Sequence, residues 1–145
     1  MVTVTAAILL KDDRVFIAQR RSTDYLPSKW EFPGGKVEPG ETPEECLSRE
    51  MREEFGIEVS VGEFFGESVY SYERFTIRLL AYLTCWESGE PTATVHQEFR
   101  WVSIGALRDY EFLPADVPLA EKLINTAGSL MAKSRGGTRR QASVT

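Results

Sequence analysis

At 145 residues, with 42% apolar and 27% charged side chains, the chain is long enough for one domain with a core of its own. Its 17 Lys and Arg against 22 Asp and Glu leave a net charge of -5, which argues against nucleic acid as a bulk partner but leaves a small anionic ligand open. No apolar run approaches the ~20 residues needed to cross a bilayer, the N-terminus lacks the pattern of a secretory signal, and Cys46 and Cys85 form no CxxC pair, so a cytoplasmic enzyme is expected.

Residues 2–10 and 14–19 read as two β-runs joined by the turn Lys11-Asp12-Asp13. From Arg20 to Pro39 the chain is loop-like, punctuated by Pro27, Pro33, Gly34, Gly35 and Pro39. A helix with clear ends follows. Thr42 suits an N-cap, Pro43 the first helical position, and Glu45 stands where a capping box needs it. Gly56 supplies the left-handed residue that stops the helix. Stretches 57–69, 72–84 and 98–103, rich in Val, Ile, Phe, Tyr and Trp, read as strands. A second helix is predicted from about Pro118 to Leu130. The predicted domain is 1–128, and 129–145, with little apolar content, reads as a disordered tail. Several strands with one central and one late helix indicate an α+β sandwich.

The segment from Gly35 to Ile57 is the informative one. On a helix with Leu47 at zero, Met51 falls at about 40° and Phe55 at about 80°, a core stripe. Glu53, Glu50 and Glu54 fall at about 240°, 300° and 340°, sharing one face, with Glu54 beside the buried stripe. Acids at such spacings repel one another, and a hard divalent cation between them removes that cost. A solvated acidic face relieved by Arg49 and Arg52 is the bland alternative, and the place of Glu54 against the core argues against it.

The same segment resembles the Nudix box, G-x5-E-x7-R-E-U-x-E-E-x-G-U with U apolar, through Gly35, Glu41, Arg49, Glu50, Met51, Glu53, Glu54, Gly56 and Ile57. Outside the box, Trp30-Glu31-Phe32-Pro33-Gly34-Gly35, Arg20-Arg21, Arg100-Trp101-Val102 and Phe112 to Pro118 are similar to MutT-type members, so the likeness covers roughly 2–125. It implies the Nudix fold, an α/β/α sandwich with a curved mixed sheet. It also implies hydrolysis of a nucleoside triphosphate to monophosphate and pyrophosphate, in the 8-oxo-dGTP or cytidine branch that sanitises modified nucleotides. The implied cofactor is Mg2+, with Mn2+ able to substitute. The implied metal ligands are the Gly34 carbonyl, Glu50, Glu53 and Glu54, one of them also orienting or deprotonating water. Arg49 joins the catalytic set, with Glu41 bracing the loop against the helix. For the base the resemblance implies Arg21, Phe32, Tyr72, Arg74 and Asp116. Each has a plainer reading: Phe32 as core packing, Arg74 as a solvated strand residue, Asp116 as the cap of the last helix.

One departure stands out. MutT-type enzymes carry a further acid about six residues before the late tryptophan, where this chain has Val95. His96 or Glu98 is expected to substitute, or else to be an exposed loop histidine and an ordinary surface acid. Asp116, acceptor-only when ionised, favours bases that offer donors, cytosine or guanine type, over thymine. Two rival readings stay open. One is a Nudix enzyme acting on a nucleoside diphosphate sugar or capped polyphosphate; the other is a non-catalytic nucleotide-sensing module. Expected partners are a small-molecule nucleotide, with no nucleic acid and no membrane, in a monomer or homodimer.

Overall fold

The first run carries apolar side chains on both faces, Ala6 and Ile8 towards one core and Ala7 and Leu9 towards another, all fully buried. A strand of that kind belongs in the middle of a sheet covered on both sides. The structure, a computed structural model, describes residues 1–137 and places the run accordingly. In chain order it holds β1 (Val2–Lys11), β2 (Arg14–Gln19), β3 (Trp30–Glu31), α1 (Pro43–Phe55), β4 (Glu58–Ser71), β5 (Thr76–Ser88), β6 (Glu98–Ser103), a 3-10 helix (Ile104–Asp109) and α2 (Val117–Gly137). The sheet order is β3-β2-β1-β5-β4, with β6 on β2. β1 runs parallel to β5, from Val2 opposite Ile77 to Leu10 opposite Cys85. The β1–β2 hairpin turns on Asp12, at φ 57°.

Two cores follow from this mixed sheet. Leu47, Met51 and Phe55 of α1 pack with Ala7, Leu9, Phe16, Ala18, Leu80 and Tyr82 on one face. On the other face Leu119, Ala120 and Leu123 of α2 and Leu107 of the 3-10 helix pack with Ile8, Ile17 and Ala81. Each fully buried Leu, Met or Phe contributes roughly 1.5–3 kcal/mol relative to exposure. The helix–sheet–helix sandwich is the predicted architecture.

The elements differ from the sequence-based expectation at several places, among them the 3-10 helix Ile104–Asp109, which was not expected, and the start of β5 at Thr76 instead of 72. The loop 20–39 contains β3, because Trp30 buries its ring and its backbone pairs both with Gln19 and with the 111–113 segment. The third and fourth long strands run on to Ser71 and Ser88. Finally α2 extends to Gly137 and so takes in 129–137 of the expected tail. Leu130-Met131-Ala132-Lys133 are good helix formers, so the backbone ladder continues. The rest of that expected tail, 138–145, lies outside the described residues. Among the described residues no helix is long and apolar enough to cross a membrane.

Candidate active site

The α1 helix is pinned at both ends by the residues its sequence advertises. Thr42 Oγ1 accepts from Glu45 N at 3.1 Å, and Glu45 Oε1 accepts from Thr42 N at 2.9 Å, closing the capping box. Gly56, at φ 71°, donates back to Arg52 O at 3.0 Å. The last carbonyls of the helix would otherwise be orphaned. Instead, Thr92 N and Thr94 Oγ1 reach Phe55 O and Glu54 O at 3.0 and 2.9 Å. With Leu47, Met51 and Phe55 turned into the core, Glu50, Glu53 and Glu54 share the face opposite the Gly34-Gly35 loop.

Arg49 knits that loop to the helix. Its Nε donates to Glu41 Oε2 at 2.6 Å and its Nη2 to Glu41 Oε1 at 3.0 Å, a two-pronged pair. Nη1 reaches Glu50 at 3.0 Å and Glu53 at 3.2 Å, and Nη2 also meets Lys36 O. Beneath the guanidinium, Glu41 is drawn down to about 2, first by the Arg49 hydrogen bonds and then by the Glu38 backbone N–H. The loop passes so close to its neighbours that side chains are excluded. A Cβ on Gly34 would lie 2.0 Å from Thr5 O, and one on Gly35 would lie 2.3 Å from the Glu50 carboxyl carbon.

The acids themselves are unequal. Glu53 is 61% exposed, while Glu50 is only 13% exposed. Glu54 is largely buried, and its Oε1 has no hydrogen-bond partner. Burial, then contact with Glu50, then the charges of Glu50, Glu31 and Glu53 push Glu54 up to about 9. Among the described residues no ready-made cage of three ligands is drawn together. The donor set nonetheless suits a hard divalent cation. Two touching carboxyl groups, one with an orphaned buried oxygen, can both ionise only if positive charge joins them.

Glu54 also lines a cavity of about 400 Å³. Phe32, Tyr72 and Asp116 line it, as does the Gly34-Gly35 turn. Phe32 stacks on Phe112 at 5.2 Å and is buried, so core packing accounts for its ring even as it lines the cavity. Asp116, at 4% exposure, does not spend its carboxylate on its own helix; Oδ2 accepts from Phe32 N at 3.0 Å across the cavity floor. Burial, followed by the charge of Glu31, pushes Asp116 well above the usual carboxylate range. Tyr72 OH accepts from Ala115 N at 3.0 Å and so locks the β4–β5 turn to the start of α2.

Other expectations move. Arg21 points its Nη2 to Thr94 O at 2.6 Å and does not line the cavity; its neighbour Arg20 does. Alternation along the chain exit from β2 turns one arginine inward and the next outward. Arg74 lies on the turn between β4 and β5, exposed, 5.9 Å from the Tyr25 ring centroid and outside the cavity lining. Glu98 starts β6 and pairs with Arg100 at 2.9 Å, also outside the lining. His96 is not an exposed loop histidine. It is 8% exposed, stacks on Phe55 at 5.2 Å, and meets Glu31 Oε2 through Nε2 at 2.7 Å. Glu31 is the lining residue that motif reading passed over; an acid wedged between the buried aromatics Trp30 and Phe32 was its only signal.

Known proteins share this arrangement. A family model described as the NUDIX domain matches residues 1–123. The CTP pyrophosphohydrolase of Escherichia coli (strain K12) is 39% identical over 125 residues, 83% of this chain and 90% of that protein. The 8-oxo-dGTP diphosphatase of the same organism is 35% identical over 113 residues, 78% of this chain and 88% of that one. Among solved structures, the E. coli ORF135 protein superposes with a TM-score of 0.77 at 36% identity, covering 89% of this chain and 92% of that one. With the box helix, its arginine brace and its glycine turn all in their working relation, the chain belongs to the Nudix hydrolases, enzymes that depend on a divalent metal ion.

Proposed function

We propose that this hydrolase cleaves nucleoside triphosphates, modified ones included, to nucleoside monophosphate and pyrophosphate with magnesium, acting on the free nucleotide pool of the cytoplasm. The observation that carries the reading is the orphaned Glu54 Oε1 beside Glu50, at one end of a cavity whose other end offers Phe32, Tyr72 and Asp116. Acids for a metal stand at one end, and a ring wall with a hydrogen-bonding carboxyl at the other. The relatives named for CTP and for 8-oxo-dGTP supply the two base classes.

In this reading Glu50, Glu53, Glu54 and the Gly34 carbonyl hold the magnesium. The bound ion supplies charge that neutralises the phosphates and eases deprotonation of the attacking water. Arg49 and Glu41 keep the glycine turn and the acid face in register, and the absent side chains of Gly34 and Gly35 let that turn pack directly against Thr5 and Glu50. Phe32 and Tyr72 flank the base, Asp116 meets its polar edge, and Arg20 takes the part that the resemblance gives to Arg21. A hydrolysis screen over dCTP, 5-methyl-dCTP, 8-oxo-dGTP, dGTP and dTTP with magnesium tests the reading. Pyrophosphate and a monophosphate should appear for the cytosine or guanine types. Turnover of only nucleoside diphosphate sugars or dinucleoside polyphosphates would overturn it.

A further inference from the structure

His96 is the chain's single histidine, and nothing in the chemistry just outlined uses it. Its ring is nevertheless placed with care. One face lies against Phe55, the interplanar angle being 19°, directly behind Glu54. Nε2 meets Glu31 Oε2 at 2.7 Å, and Arg20 Nη1 meets the other oxygen, Oε1, at 3.4 Å. The tautomer that lets Nε2 donate to the Glu31 carboxyl leaves over Nδ1, which is buried and without a protein partner. The loop bearing His96 is itself fixed, through Thr94 and Thr92, to the last carbonyls of α1. Glu31 is thus gripped from two sides and held in the cavity next to Phe32 and Asp116.

A carboxylate at 18% exposure, not free to rotate, is a directional group. Left to Arg20 alone, across a longer contact from a flexible side chain, it could turn in χ2 and χ3 and present either oxygen. We propose that His96 is a positioning residue: it fixes the rotamer of Glu31 so that two acceptor sites, Glu31 and Asp116, face the polar edge of the base together, and it thereby sets the preference among bases. The proposal rests on the triphosphate reading above. It assigns His96 a role different from that of the acid missing at Val95, because Nε2 is bound to Glu31 and Nδ1 is buried.

Two substitutions separate the ring from its N–H. His96→Phe keeps a ring to stack on Phe55 and removes the donor. His96→Gln keeps an amide donor near the place of Nε2 and removes the ring. kcat/KM is measured for dCTP, 8-oxo-dGTP and dTTP in wild type, both variants, Glu31→Gln and Glu31→Gln with His96→Phe. His96→Phe should cut the preference for the favoured base over dTTP by about 10-fold, mainly through KM, with kcat close to wild type. His96→Gln should restore most of the preference while losing thermal stability. The double variant should equal Glu31→Gln alone, because His96 acts only through that carboxylate. An unchanged preference in His96→Phe, an equal fall on every nucleotide, or additive losses in the double variant would each overturn the proposal. A wild-type protein that turns over none of the triphosphates would instead overturn the triphosphate reading. Because there is one imidazole, nitrogen NMR gives a readout independent of turnover. Nε2 should carry the proton and shift in Glu31→Gln, and a proton on Nδ1 would contradict the assignment.

Discussion

The two ends of the cavity are built in opposite ways. The acid end comes from one continuous stretch, Gly34 to Glu54, folded on itself by the capping box, the Arg49–Glu41 pair and the tight passage of two glycines. The end proposed to take the base is collected from separate segments: Arg20 and Glu31 stand at either side of the 21–29 loop, Phe32 follows β3, Tyr72 sits on the β4–β5 turn, His96 precedes β6, and Asp116 immediately precedes α2. The acid end takes its side-chain brace locally, Arg49 to Glu41, Glu50 and Glu53, while the other end makes its side-chain bonds across large separations, Phe32 to Asp116 and Glu31 to His96. Chemistry common to every substrate can sit in a rigid local motif. Discrimination between bases needs groups converging from several directions, which no single segment provides.

The sharpest way to break the acid end is Glu54→Gln. kcat should fall by about 10²-fold or more, since charge stabilisation by a bound metal is worth several kcal/mol. The fold should survive, and the metal-free protein should melt higher than wild type at neutral pH, because a neutral amide relieves the acid crowd. A lower melting temperature with near-normal kcat would show that Glu54 is structural.

The brace is next. Glu41→Gln removes a charged partner of Arg49 without touching the proposed ligands, and should weaken metal affinity or activity by about 10–100-fold. Titration with magnesium distinguishes a positioning effect, recovered in part at high metal, from loss of chemistry, which is not recovered. At the base end, Asp116→Asn should change the ratios of kcat/KM among dCTP, 8-oxo-dGTP and dTTP by about 10-fold while lowering all of them less. An equal fall on each would mean that the Phe32 N–H contact is its whole purpose.

The smallest effect is in the pH dependence of stability without metal. With Glu54 pushed up to about 9, the folded state holds a proton that the unfolded state has lost above its model value of 4.5. Stability from this group is therefore present below 4.5 and is lost as pH rises towards 9, by at most about 5 °C in melting temperature per pH unit. Thermal melts of chelated protein should show that slope, magnesium should flatten it, and Glu54→Gln should lack it.

The comparison also explains what could be read from residues alone. The ends of α1 were legible because Thr42, Pro43, Glu45 and Gly56 act within one turn of where they stand. The core stripe and the shared face of the three acids were legible because helical geometry is periodic. The boundaries of the long strands were less so, since β-structure is decided by partners across the sheet: β3 exists only because Gln19, Glu111 and Leu113 come to its edges.

The sequence by itself determined the class of chemistry: a loop and helix whose local hydrogen bonds and periodicity set acids opposite a glycine turn. Tertiary structure alone decided which side chains line the rest of the cavity. Adjacent residues in an extended or irregular segment point in different directions, so Arg20 lines the cavity and Arg21 leaves it for Thr94. Distance along the chain carries no information about which buried donor finds which acceptor. His96, placed at sequence level as a candidate base or an exposed histidine, proves to be committed to Glu31, and Asp116 to Phe32. Those pairings arise because a buried polar group must find a partner, and the packing of two cores against one sheet determines which partner is near.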